Sequence, residues 1–281
     1  MSAPSPLSSA RLRPARTFGA LSLDLWFTTV YFEPEDEEVW RRARRGAIRD
    51  ILVDRAGRPY PITRVEEAMS AVREGLRAQG VTNDMLAPRT YLEYLRRELG
   101  STVEPTEEDA RYLGSAGMDE APPRINPEAR RLVERMEARG VPVVAISNTA
   151  RPGEVWKSFL DRRGGPRFRF VLASCDFGWG KPHPGLFHQA AGRLGVSPER
   201  MLHVGDFWEL DVDGALAAGV APALYRGLWD RYPTPGEREA RGKADDGRPN
   251  LLRLDSLEEL DEDSLWAPPG GSGSPPSEQE R

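Results

Sequence analysis

Asp24 closes a short apolar run, Ala20 to Leu25, and Thr28 follows four residues later. The pattern recurs twice. Val143-Val144-Ala145-Ile146 delivers Ser147 and Asn148, and Met201-Leu202-His203-Val204 delivers Gly205 and Asp206, with Asp211 a few residues on. Lys181 stands between these last two runs, in Gly178-Trp179-Gly180-Lys181-Pro182. Short apolar runs bounded by polar residues read as buried strands. In α/β proteins, ligands bind outside the carboxyl ends of parallel strands, so strand-end residues far apart in sequence can converge on one rim. Three carboxylates gathered there repel one another, and one must hold a proton unless a cation neutralises the group. A hard divalent cation with oxygen ligands does this, and Mg2+ suits a site of few carboxylates plus waters and phosphate oxygens. An Asp beside such a cation and a lysine can attack an electrophilic centre and form a covalent ester or acyl phosphate. The cation and Lys181 would stabilise charge on the transferring group, while Ser147 and nearby backbone N–H groups bind its outer oxygens. Taken singly, each residue has an ordinary reading: Asp24 as a turn former, Ser147 as a helix cap, Lys181 as a surface lysine, Asp206 and Asp211 as cap and first-turn acids. Their joint fall at the ends of the right elements, in one order, favours the site.

The elements that must position these residues alternate. Asn126-Pro127-Glu128 places a cap, a first-turn proline and an acid at a helix start, and Leu132, Val133 and Met136 give that helix a buried stripe up to Gly140. After Ser147 come a helix near Gly153 to Leu160, a strand over Phe168 to Leu172, a helix through Leu186, Phe187, Ala190 and Leu194, the His203 strand, a helix from about Asp211 to Ala218, and a short strand at Ala223-Leu224-Tyr225. Strands and helices alternating this regularly predict a doubly wound parallel sheet with right-handed crossovers. Leu251 to Leu254 adds an edge strand, and Ser256 caps a short helix over Leu257 to Leu260.

A different module interrupts this alternation. Helical spacing links Val39, Trp40, Ala43, Ala47, Ile48, Ile51 and Leu52; Thr63 with Glu66 reads as a capping box for a second helix; Tyr91, Leu92, Leu95 and Leu99 mark a third; Thr106 with Asp109 begins a fourth. Four helices without a strand predict a helical module inserted into the sheet domain.

The 281 residues suffice for a large α/β core with such an insertion, and the formal net charge of -5 argues against a nucleic-acid or anionic-membrane partner. The single cysteine, Cys175, excludes an intrachain disulfide, and His183, His188 and His203 share no zinc spacing with it. These features, with no apolar run of membrane length and no secretory leader pattern, lead to the expectation of a cytoplasmic protein.

On these residues the chain resembles the haloacid dehalogenase-like superfamily. Asp24 with Thr28, Ser147-Asn148 after an apolar strand, Lys181 before Pro182, and Gly205-Asp206 with Asp211 match its four motifs, and the resemblance covers about Arg16 to Leu260. It implies an α/β fold, a Rossmann-like doubly wound parallel sheet at 17–34 and 123–265, with a helical cap at 35–122, while the Ser-, Pro- and Gly-rich composition of 1–16 and 266–281 reads as disordered tails. It implies Asp24 as nucleophile, with Ser147 and Lys181 completing the catalytic set. Thr28, Ser147, Asn148 and Lys181 would bind substrate, and Asp24, Asp206, Asp211 and the Trp26 backbone carbonyl would hold Mg2+.

One position departs from the pattern. Most phosphatases of this superfamily carry a second Asp two residues after the nucleophile, which protonates the leaving oxygen; here it is Trp26. Loss of a positioned acid and base costs about 10²–10⁴ in rate. Three readings compete: a phosphatase that acts on good leaving groups or borrows an acid from Glu33, Asp176, Glu209 or the cap; a dehalogenase-like hydrolase, since halide leaves without a proton; and a binding protein that has lost turnover. Retention of Asp206 and Asp211 favours the first, as a Mg2+-dependent hydrolase of small phosphorylated metabolites, monomeric or homodimeric. Specificity is expected from the cap, where Arg41, Arg42, Arg44 or Arg45 could clamp an anion and Trp40, Tyr91 or Tyr94 could form an apolar wall. Trp179 and Trp208 are expected near the entrance.

Overall fold

A computed structural model describes residues 17–231, residue 236 and residues 251–267. The tail expected at 1–16, most of the one expected at 266–281, and positions 232–235 and 237–250 lie outside the described residues.

Six parallel strands form the central sheet: β1 (Ala20–Leu23), β4 (Val143–Ser147), β5 (Val171–Ala173), β6 (Met201–Gly205), β7 (Ala221–Tyr225) and β8 (Leu252–Leu254). Their spatial order is β5-β4-β1-β6-β7-β8, so β1 lies between β4 and β6, and the ends that carry Asp24, Ser147 and Asp206 are neighbours. The strands are largely apolar because helices cover both faces. Leu21, Leu23, Val143, Ala145, Leu202 and Val204 point to one face, where they pack with Leu132, Val133 and Met136 of α5 (Pro127–Ala138) and Trp156, Phe159 and Leu160 of α6 (Gly153–Arg162). The alternate residues Ala20, Val144, Ile146 and Met201 face Leu186, Phe187 and Ala190 of α8 (Gly185–Leu194). This is the doubly wound arrangement that the sequence predicts.

The chain leaves β1 through a tight reversal in which the Thr29 and Val30 N–H groups both donate to Leu25 O, at 2.9 and 2.7 Å. Phe27 sits there at φ 55°, an uncommon conformation for a bulky side chain. A small antiparallel ribbon of β2 (Val30–Tyr31) and β3 (Arg124–Ile125) then closes the neck from which the cap departs and to which it returns. Asn126 fastens this neck. Its Oδ1 accepts from the Glu128 N–H at 3.0 Å, capping α5, and its Nδ2 donates to Thr28 O at 2.8 Å and to the Tyr225 hydroxyl at 3.1 Å.

The cap contains α1 (Pro34–Ile51), α2 (Ile62–Arg77), α3 (Pro88–Leu99) and α4 (Glu107–Ser115), with a core of its own that includes Ile48, Leu52, Val65, Ala68, Tyr91, Leu92, Leu95 and Leu113. Helix α3 shows why: Pro88 begins it, its buried residues recur at helical spacing, and Gly100 ends it at φ 71°. The Thr106–Asp109 capping box forms as expected. The Thr63–Glu66 box does not, because Pro61 takes the cap position and α2 starts one residue before Thr63. The helix expected from about Asp211 begins instead as a wide π-helical turn, Trp208–Asp213, and runs on into α9 (Gly214–Ala217). Trp266, expected at the start of a tail, is buried against Phe18, with its ring N–H donating to Leu260 O at 2.9 Å. Among the described residues, no helix is long and apolar enough to cross a membrane.

Asn126 joins a helix cap, the neck and the loop that bears Thr28. Asn126→Ala is expected to lower unfolding free energy by about 1–3 kcal/mol, read as a lower urea midpoint with an unchanged slope. An unshifted midpoint would mean that water replaces all three bonds.

Candidate active site

Asp24, Thr28, Ser147, Lys181, Asp206 and Asp211 are all buried and gather at the carboxyl ends of β1, β4 and β6. The ammonium of Lys181 lies between two carboxylates, 2.8 Å from Asp24 Oδ1 and 2.5 Å from Asp211 Oδ1. Asp24, Asp206 and Asp211 each present one carboxylate oxygen, and these oxygens lie within 4.8 Å of one another.

Asn148 holds Lys181 in place. Its Nδ2 donates to Lys181 O and its Oδ1 accepts from the Lys181 N–H, each at 2.7 Å. A Cβ at Gly180 would fall 2.5 Å from Asn148 Oδ1, so glycine is needed for this clasp. Asn148, expected among the substrate-binding residues, thus uses both of its polar groups to position the lysine.

Asp211 is held from three sides. Oδ1 accepts from Lys181 and from His203 Nε2 at 3.1 Å, and Oδ2 accepts from the Phe207 N–H at 2.9 Å. A Cβ at Gly205 would lie 2.1 Å from Asp211 Cγ, so only glycine lets this carboxylate fold back under the rim. His203 and Ser22 are register partners on β6 and β1, and His203 Nδ1 is 2.9 Å from Ser22 Oγ. Burial drives the His203 pKa below its ordinary value, so the imidazole is neutral at pH 7. Its proton then belongs on Nε2, facing Asp211, with Nδ1 accepting from Ser22. Sequence reasoning missed this Ser22–His203 support. The available signal was a polar residue within each of two otherwise apolar strands.

Burial disfavours charge on both Lys181 and Asp211, yet each stabilises the other. The two carboxylates hold Lys181 above the usual lysine range, and Lys181 with His203 holds Asp211 well below the usual carboxylate range. Two hydroxyl oxygens, Thr28 Oγ1 and Ser147 Oγ, are buried beside these groups without a hydrogen-bond partner among the described residues. Buried polar atoms are seldom left so. They are suited to the outer oxygens of a phosphate.

No carboxylate stands where the second Asp of the resemblance would be. Trp26 instead packs edge-on against Phe32, Trp40 and Trp156, with ring centroids 5.3, 5.5 and 5.1 Å away. Two of the acids considered as substitutes are engaged elsewhere: Glu33 with Arg124 and Arg231, at 3.4 and 3.2 Å, and Asp176 with the Gly153 N–H at 2.9 Å. Of the cap residues, Trp40, Arg41, Arg44, Arg45 and Tyr91 line a cavity that also touches Trp26 and Asn148, while Arg42 and Tyr94 do not. Trp179 is partly exposed; Trp208, expected near the entrance, is buried with Val212, Leu224 and Leu251.

The chain belongs to the haloacid dehalogenase-like hydrolase family, whose family model matches residues 20–219. It is 35% identical over 117 residues to a phosphoserine phosphatase of Thermus thermophilus, a match that spans 41% of this chain and 45% of that relative's length. It is 28% identical over 202 residues, 70% of this chain and 83% of the relative, to a glyceraldehyde 3-phosphate phosphatase of Methanopyrus kandleri. Among solved structures, a 2-haloacid dehalogenase from Pseudomonas syringae pv. tomato superposes with a TM-score of 0.56 at 21% identity, covering 87% of this chain and 97% of that one. A phosphatase from Thermococcus onnurineus does so with a TM-score of 0.52 at 18% identity, covering 86% and 96%. These two establish a shared fold.

Lys181→Met removes the ammonium that separates two buried carboxylates and is expected to cost about 3–5 kcal/mol near pH 7 in chelator. The pH dependence should differ in sign from the parent's. In the parent, Asp211 has a depressed folded-state pKa, so its contribution is full above about pH 4 and is lost as pH falls through that lower value. In the variant, burial acts on Asp211 with no ammonium to oppose it. Its folded-state pKa rises, and the deficit should narrow as pH falls from about 7 to about 5. Urea titrations at several pH values measure both effects; equal stability of the two proteins throughout would overturn the assignment.

Proposed function

We propose that this hydrolase is a Mg2+-dependent phosphatase of small phosphorylated compounds that works through an aspartyl-phosphate on Asp24. The observation that carries the reading is the ammonium of Lys181 seated between Asp24 and Asp211, with Asp206 within reach of both. A dehalogenase attacks a carbon and releases halide, and needs no such acidic group.

The donor set fits a divalent cation. Three carboxylates gather around one ammonium, with His203 neutral, so oxygen donors of negative charge outnumber the cation beside them. Asp24, Asp206 and the Trp26 carbonyl would hold the ion. Asp211, whose three protein hydrogen bonds leave one lone-pair site on Oδ2, could join them. The ion would supply charge neutralisation, for the carboxylates and for the phosphate they must admit.

The protein groups divide the remaining work. Asp24 attacks phosphorus in line, forming the carboxylate O–P bond as the P–O bond to the leaving group breaks. Lys181 stays protonated and keeps Asp24 ionised and oriented. The Thr28 and Ser147 hydroxyls donate to the outer phosphate oxygens. Water then cleaves the aspartyl-phosphate, freeing inorganic phosphate and regenerating Asp24. Trp26 cannot lend a proton to the departing oxygen, so substrates whose leaving groups depart as stable anions are favoured. The single cysteine supports a reducing, cytoplasmic setting, and burial beside Asp176 raises the Cys175 thiol pKa, which makes it a poor nucleophile.

Trp26 itself favours a second reading, 2-haloacid dehalogenation, in which no proton is required by the leaving group. Phenyl phosphate and 2-chloropropionate, each with Mg2+ and with chelator, separate the two. Phosphate release stimulated by Mg2+ and lost in Asp24→Asn is expected. Chloride release that persists in chelator would establish the dehalogenase.

Trp26→Asp tests the missing acid. It is expected to raise turnover of alkyl phosphates by at least about tenfold more than that of aryl phosphates, within the range a positioned general acid supplies. An equal effect on both classes would assign the indole a purely steric part.

A further inference from the structure

The cavity beside Trp26 has a volume of about 770 Å³ and runs between α1, α2 and α3 of the cap and the loop that follows β4. That is the size of a metabolite site. Six arginines and three acidic residues line it. The acidic residues are largely engaged: Glu37 with Arg41 at 2.6 Å, Glu66 with Arg45 at 3.2 Å, and Asp84 with the Thr82 hydroxyl. Arg151 is also committed, donating to Gly114 O and Ala116 O at 2.6 and 2.7 Å while stacked 4.1 Å over the Trp40 ring.

Arg44, Arg73 and Arg77 remain. Among the described residues none has a carboxylate within ion-pair distance, although all three line the same cavity. The guanidinium of Arg44 lies 5.0 Å from the Tyr91 ring centroid, and burial lowers its pKa below the ordinary arginine value. Arg44 is half-buried and Arg73 and Arg77 are exposed, so three guanidinium groups without a carboxylate partner face one cavity and favour an anion there. Tyr91 is 1% exposed, and the charged side chains that act on its hydroxyl are Arg44 and Arg73. Asn83 Oδ1, in the same wall, is buried and unpartnered among the described residues. Cations without a carboxylate partner, with Trp26, Trp40 and Tyr91 in the same wall, describe a site for a molecule that carries an anion and an apolar or planar part.

We propose that this cavity is a second anion subsite, in which Arg44, Arg73 and the Tyr91 hydroxyl bind a carboxylate or phosphate carried by the substrate at the end remote from the group that Asp24 attacks. The inference rests on the phosphatase reading and narrows it: the substrate class is phosphate monoesters that bear a second anionic group. Arg44 and the Tyr91 hydroxyl would donate charge-assisted bonds, and Arg73, at the exposed edge, would draw the anion in and close over it.

The test uses three aryl phosphates matched in leaving group and differing only at the para substituent: 4-(carbamoylmethyl)phenyl, 4-(carboxymethyl)phenyl and 4-(phosphonomethyl)phenyl phosphate. The full chain with Mg2+ is expected to favour at least one anionic ester over the carboxamide by about tenfold or more in kcat/KM, the scale of a charged hydrogen bond. Which of the two is preferred distinguishes carboxylate from phosphate. Arg44→Gln and, separately, Arg73→Gln should bring that ratio towards one; the exposed Arg73 can be changed without disturbing packing. A ratio near one in the parent, or one that neither variant moves, would overturn the proposal. A second readout needs no turnover: phenylacetate, compared with phenylacetamide, should quench tryptophan fluorescence in the parent and lose that advantage in both variants. If no ester is hydrolysed but phenylacetate still binds through Arg44 and Arg73, the phosphatase reading fails and the subsite stands. If hydrolysis proceeds without anion preference and phenylacetate does not bind, the reverse holds.

Discussion

The Lys181 ammonium between Asp24 and Asp211 is the contact on which the rest of the molecule depends. β1 and β6 can be neighbours with carboxylates at their ends only if something offsets the repulsion, and a buried cation with two partners does so. Removing charges from water costs several kcal/mol per ion, so the arrangement persists only because the surroundings complete it. Asn148 clasps the backbone of Lys181, Gly180 leaves room for that clasp, and His203 and the Phe207 N–H give Asp211 two further donors. A half-satisfied polar network in this position would be worse than an apolar one.

The sheet and its strand ends were legible in the sequence because apolar runs that end in Asp, Ser or Gly-Asp are strong local signals. They sufficed to bring Asp24, Ser147 and Asp206 to one rim. What stayed hidden was set by tertiary contact. Nothing local to Asn148 shows that its amide faces the Lys181 backbone, and nothing local to His203 shows that Ser22 is its register partner across β1 and β6. The cap helices were visible from periodicity, yet the start of α2 was not, because Pro61 and the Thr63–Glu66 pair offer competing caps and the structure uses the first. Which arginines face the cavity was equally beyond reach, since that depends on how α1 turns against α2 and α3.

Trp26 illustrates how a substitution in a site can also be a packing decision. A carboxylate there would sit among Phe32, Trp40 and Trp156, an apolar setting that would favour its protonated form. With an indole, the same position becomes part of a continuous aromatic wall that joins the core helix α6 to the cap helix α1. Three edge-to-face contacts of this kind each add about 0.5–1.5 kcal/mol beyond area burial. The residue thus ties the two modules together at the place where proton transfer would otherwise occur.

The loop after β4 holds Ser147 and Asn148 at one end and, at the other, Arg151, whose guanidinium grips two carbonyls at the end of the cap and stacks on Trp40. One stretch of five residues therefore touches both the site of chemistry and the cap that covers it. Linkage makes such an arrangement reciprocal: if one setting of the cap tightens ligand binding at Ser147 by some factor, the bound ligand favours that setting by the same factor. The loop is thereby a thermodynamic ledger shared by two modules, and affinity at Ser147 cannot be altered through it without altering where the cap rests.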